Sequence, residues 1–165
     1  MKPFYRSLRM AGLIAMLAIL PTAFVLAAET THQHEQGAAA TAKLHLKDGK
    51  KWQTDDVLRQ GMTSIRDAFA PRLPAIHQNK LDAKVYDELA AKVNSEVANI
   101  VKNCHLEKDA DEMLHLVIAD MLAGADAMSG KDQKTSRQAG ATQVVQALDS
   151  YGNYFDHSGW RNLEK

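Results

Sequence analysis

The chain has one cysteine, Cys104, in 165 residues, which excludes an intrachain disulfide whatever the compartment. It has no Cys-x-x-Cys-His, so covalent c-type haem attachment is excluded as well. Neither sign of charge is in surplus: 20 basic residues stand against 20 acidic ones, which leaves no electrostatic footprint for nucleic acid. No run of strict apolar–polar alternation is long enough to argue for a sheet. There is no nucleophile elbow, no His-Glu-x-x-His, no phosphate loop and no dinucleotide fingerprint. A non-catalytic protein is the expectation.

What is present begins with an address. Residues 1–10 carry Lys2, Arg6 and Arg9 and no acid, and residues 11–28, "AGLIAMLAILPTAFVLAA", carry no charge. A basic start, an apolar stretch and a small-residue exit describe a secretory signal peptide over 1–27. Val25-Leu26-Ala27 satisfies the small-x-small cleavage rule, with Leu26-Ala27-Ala28 the next choice. An uncleaved membrane anchor is the rival, because the apolar stretch is about the minimum length to span a bilayer. The expected location is the periplasm, with membrane contact only if the signal is retained. Loss of residues 1–27 removes three basic residues and no acid, leaving 17 against 20 and a formal charge of −3. The remainder is long enough for one domain with one core.

Residues 28–53 are polar, without sustained period, and are read as a flexible histidine-containing arm, with Trp52 able to settle its end against the domain. From residue 54 the periodicity is helical. A first helix is predicted from a Thr54 cap, with Leu58, Met62, Ile65 and Phe69 on one face until Pro71 and Pro74 end or kink it. A second begins near Asp82 and carries Tyr86, Leu89, Val93, Val97, Ile100 and Cys104. A third starts near Asp109, with Glu112 as a capping-box partner, and aligns Leu114, Ile118, Met121, Ala125 and Met128 before Gly130. A fourth runs from about Lys134 to Asp156, with Ala141, Val144, Val145, Leu148, Tyr151 and Phe155 inward. Four striped helices with short connections predict an all-α, up-down-up-down four-helix bundle over residues 54–165.

Candidate ligands are scattered along this frame. His32 and His34 form a His-x-His in the arm, and imidazoles suit Cu(II), Zn(II) or Ni(II). Cleavage after Ala27 makes His32 the fifth residue, too far for the tight amino-terminal copper motif. Cys104 and His105 are adjacent, and His115 lies on the flank of the third helix. Thiolate and imidazole together suit Cu(I) or Zn(II). Met113, Met121 and Met128 fall on one side of that helix, where thioethers favour Cu(I) but a methionine stripe at helical spacing is more often core. Glu112 and His115 give one Glu-x-x-His spacing with no second copy, so a di-iron bundle is not expected. His157 follows the fourth helix. Straight helical phase would turn it roughly 180° from Leu148. Ser158-Gly159 signals a helix end, so a terminal turn can instead fold it back inward.

"DDVLRQGMTSIRDAF" puts Met62 early in the first helix and "NYFDH" puts His157 near the end of the last. In those two positions and in architecture the chain resembles the soluble b-type four-helix cytochromes, which implies a Met62 and His157 haem pair. The stretches "LKDGKKWQTDDVLRQGM", "NCHLEKDADEMLHLVIADML" and "YGNYFDHSGWR" resemble a group of small exported proteobacterial helical proteins, some labelled DnrO. That resemblance implies a single exported domain and carries no established catalytic residues onto this chain. Three readings follow: a bundle binding a metal ion, copper foremost, through Cys104, His105, His115, His32 or His34; a cofactor-free interaction bundle using its arm or Trp160 against a partner; and a b-type haem protein.

Overall fold

Leu58, Met62, Ile65 and Phe69 recur at spacings of four, three and four, and all four are fully buried on the inner face of helix α1, Asp56–Phe69. The two prolines that follow do not stop the chain. Pro71 lies in a 3-10 turn over Ala70–Arg72 and Pro74 in the first turn of a short helix α2, Leu73–His77, the position where a missing N–H costs nothing. Three long helices complete the order: α3, Ala83–Asn103; α4, Lys108–Met128; and α5, Arg137–Tyr154. These elements are those of a computed structural model that describes residues 43–164. The long helices α1, α3, α4 and α5 form the all-α four-helix bundle, and among the described residues no helix is long and apolar enough to cross a membrane.

Consecutive long helices pack side by side. Gly61 meets Ile100 and Ser64 meets Glu96, so α1 and α3 run antiparallel. The closest approach joins α4 and α5, the most extensive helix pair in the fold. A Cβ on Gly140 would stand 2.6 Å from the Gly124 carbonyl oxygen and 2.7 Å from the Ala127 methyl. The pair can interlock only because both positions lack a side chain. By contrast, α1 and α5 touch over little surface. Their seam is covered by the strap that follows α5, residues 155–164. Trp160 packs on Tyr151 at 4.8 Å between ring centres and lies so close to Gly152 that no Cβ fits there. The Asp149 carboxylate accepts from the N–H groups of Leu163 at 2.7 Å and Glu164 at 3.0 Å.

The element ends differ from the sequence expectation where distant backbone intervenes. Asp55, not Thr54, caps α1: its Oδ1 accepts from the Leu58 N–H at 2.8 Å. The Thr54 hydroxyl is used elsewhere, donating to the Asp156 carbonyl at 2.6 Å. The capping box expected at Asp109 does not form. Helix α4 starts one residue earlier, behind Glu107, whose carboxylate is held by the Lys47 ammonium at 2.6 Å. Asp109 and Asp111 lie in the first turn, where the helix dipole favours acids. Helix α5 starts at Arg137, with the Ser136 hydroxyl capping Ala139. It stops at Tyr154 because Trp52 takes over the pairing. The Trp52 N–H donates to the Tyr154 carbonyl at 2.9 Å and the Asp156 N–H donates to the Trp52 carbonyl at 2.8 Å. Phe155 is thereby drawn into extended backbone beside Trp52. The Trp52 side chain is 3% exposed and donates its indole N–H to the His45 carbonyl at 2.7 Å.

The α4–α5 contact makes a counter-intuitive prediction. Replacing a helical glycine by alanine ordinarily stabilises by up to about 1 kcal/mol, but overpacking costs about 1–3 kcal/mol. Gly140→Ala is expected to lower stability by about 1–2 kcal/mol in urea unfolding. An unchanged or higher midpoint contradicts the close approach.

Candidate functional site

The interior is built from apolar packing. Met62, Met121 and Met128 are fully buried and Met113 nearly so, within one continuous cluster with the leucines, valines and aromatics of all four long helices. No polar or charged residue is buried among the described residues. The Tyr86 hydroxyl is the single buried side-chain oxygen without a partner there.

The candidate metal ligands do not gather. Cys104 is half-buried at the C-terminal cap of α3, where its backbone is extended and its N–H still donates to Ile100. It is therefore less enclosed than the stripe of α3 predicts. Burial first, and then the charge and hydrogen bonding of Asp55, push its thiol up to about 12. Asp55 is pulled the other way. Burial opposes its ionisation, but the N–H groups of His105 and Leu58 and the Cys104 thiol all donate to it and hold the carboxyl below its ordinary value. His105 contributes its backbone N–H to that cradle at 2.7 Å while the residue is exposed. His115 is exposed on α4, its Nδ1 at 2.8 Å from the Asp111 carbonyl and 3.4 Å from the Asp111 carboxylate. Among the described residues no three His, Cys, Asp or Glu side chains group so as to hold a metal ion. His32 and His34 lie outside the described residues.

His157 has the most structured surroundings of any candidate. It stands beyond the end of α5, in a turn closed by the Trp160 N–H on the His157 carbonyl at 3.0 Å. Gly159 takes φ +79° within it, a conformation that glycine adopts without strain. The turn folds the imidazole back onto the bundle, where Nδ1 lies 3.0 Å from the buried Tyr151 hydroxyl and the ring packs 5.1 Å from Trp160. Burial first, then the Arg59 and Arg66 guanidiniums, hold the imidazole below its usual pKa, with Asp156 opposing. The lowered pKa favours the neutral ring, and the tautomer decides whether the Tyr151 hydroxyl donates to Nδ1 or accepts from it.

The ring borders a depression of about 450 Å³, walled by Asp56, Arg59, Gln60, Thr63 and Ser64 of α1 and by His157 and Ser158 of the strap. A second hollow of about 200 Å³ continues from Thr63, His157 and Ser158 to Arg66, Trp160 and Arg161. Met62, the expected haem partner of His157, faces the other way: it is fully buried and does not line this depression. The sequence reading singled out His157 and Trp160 but passed over Arg59, Thr63 and Arg66. Their spacing of four and three puts them on one face of α1. That polar stripe beside a Ser-Gly-Trp turn is the signal that could have found them.

No family model matches the chain, nor does any curated protein or solved structure. The state of Cys104 makes a direct prediction. A thiol held at about 12 has a thiolate population at neutral pH roughly three orders of magnitude below that of an ordinary cysteine. Aromatic disulfide reagents at pH 7 should label it slowly in the native protein and quickly in urea, and Asp55→Asn should speed the native reaction. Native labelling at the rate of a free thiol contradicts this environment.

Proposed function

We propose that the chain is an exported, non-catalytic interaction module whose bundle carries no cofactor. The observation that carries this reading is the separation of chemistry from core. The soft ligands that copper would prefer, Met62, Met121 and Met128, are each fully buried in apolar packing. Polar side chains with unspent hydrogen-bonding capacity lie at the surface, among them those around the depression at His157. A haem inserted between Met62 and His157 would have to displace the Tyr151 contact and open the α1 stripe, at the cost of several core side chains. A Cys104 metal site would first have to strip a proton held by Asp55. Export is proposed on the basic, then apolar, then small-residue pattern of residues 1–28, and the periplasm is its expected destination.

The test is the protein recovered from the exported fraction. The account expects an N-terminus at Ala28 or Glu29, no Soret absorption and no stoichiometric copper or zinc. Titration with Cu(I), Cu(II), Zn(II) and haem should give affinities no tighter than a generic histidine peptide and leave the melting temperature unmoved. A ligand bound only by the folded bundle would raise that temperature. A rise of several degrees abolished by Cys104→Ala would replace this reading with a metal-binding bundle, and one abolished by His157→Ala with haem added would replace it with a haem protein.

A further inference from the structure

We propose that the depression between α1 and the strap is the docking point of this module, and that it takes the carboxylate of a peptide. This rests on the interaction reading above and gives it a surface and a ligand chemistry.

Most groups facing the depression and its continuation carry donors, and the one carboxylate among them, Asp56, is paired with the Arg59 guanidinium. The side chains of Arg161, Gln60, Thr63 and Ser158 and the Nε2 of His157 hold no hydrogen bond or ion pair with another described side chain. A ring of unspent donors selects an acceptor-rich ligand. The charges select its valence. Arg59 is shared with Asp56 and with the Thr54 carbonyl, and Arg66 is shared with Asp67 at 2.8 Å. Asp156, next to His157 in the strap, accepts from the Gln53 amide at 3.4 Å. Two paired guanidiniums and one without a partner among the described residues do not neutralise a dianion such as phosphate, but they suit a monoanion that also collects hydrogen bonds. Arg59 and Arg66 each act on His157 more strongly than Asp156 does. The size selects an organic body: about 450 Å³, continued by about 200 Å³ beside Trp160, exceeds an inorganic oxyanion severalfold and falls in the range of ligand sites.

The walls are also pre-set, which lowers the ordering cost of binding. On one side stands a helix whose opposite face is fully buried. On the other, the strap is held by Trp160 on Tyr151, by the 3.0 Å bond from Trp160 to Asn162, and by the Asp149 cap of Leu163 and Glu164.

The experiment is a 15N NMR titration of the mature chain. Acetyl-Ala-Ala-Ala with a free carboxylate tests a C-terminus, and acetyl-Ala-Glu-Ala-amide tests an acidic side chain. Acetyl-Ala-Ala-Ala-amide and inorganic phosphate serve as comparisons. At least one carboxylate peptide should move the Trp160 indole N–H and the Thr63 and Ser158 amides together, saturating in the millimolar range. The neutral amide should bind at least about five-fold more weakly. Arg161→Gln and Ser158→Ala should each weaken the effect by about three-fold or more, while the unliganded Trp160 signal stays in place and reports an intact strap. Equal binding of acid and amide, binding by phosphate alone, or shifts that map elsewhere would overturn the site. Shifts elsewhere would leave an interaction module with another surface, whereas a metal or haem found in the exported protein would remove the module itself.

Discussion

The backbone exchange between Trp52 and the end of α5 is the constraint on which the rest of the bundle turns. Two hydrogen bonds, Trp52 N–H to Tyr154 at 2.9 Å and Asp156 N–H to Trp52 at 2.8 Å, join residues about a hundred positions apart. Each contributes only about 1 kcal/mol net, and burying the indole adds about 2–3 kcal/mol. Their larger effect is directional. By capturing the last carbonyl of α5 they end that helix at Tyr154, and Phe155 leaves it as extended chain. The strap must then turn back across the α1–α5 seam, and His157 comes to rest against Tyr151 instead of pointing from the end of a helix. Thr54 is drawn into the same junction through the Asp156 carbonyl, which hands the capping of α1 to Asp55.

That junction joins an apolar core, in which the Tyr86 hydroxyl is the one unpartnered side-chain oxygen among the described residues, to a polar rim. The core is built from helix stripes and closed by the approach of Gly124 to Gly140, so its methionines act as packing. At the rim, α1 and the strap bring arginines, hydroxyls and a neutral imidazole to one hollow. Cys104 lies in a separate place with an acid beside it, where the thiol is kept protonated and the carboxylate ionised. A bundle organised this way is suited to presenting a surface, which is why the functional proposal moves from the metal-binding expectation to protein interaction.

The helical core was legible because it depends on local period. The stripes of α1, α3, α4 and α5 can be read directly from Leu58 to Phe69, Tyr86 to Ile100, Leu114 to Met128 and Ala141 to Tyr151. Helix ends were less legible, because several are decided by groups far away in sequence: Asp156 diverts Thr54, Lys47 occupies Glu107, and Trp52 terminates α5. The candidate site was the least legible part. His157 and Trp160 stand out by residue type. Arg59, Thr63 and Arg66 look like any solvated helix face until the strap is laid beside them, and nothing in the residues after Phe155 carries a period that would announce it.

Native-state hydrogen exchange at Trp52 and Asp156 tests this account most directly. Both amides are donors in the junction, and both lie outside the regular helices. If the junction organises the fold, they exchange as slowly as the buried core of α5, with opening free energies approaching that of global unfolding. Exchange near the rate of an exposed chain, while the α5 core stays protected, would mean that the strap and its hollow are not fixed parts of the structure, and the account of the docking site would fail with them.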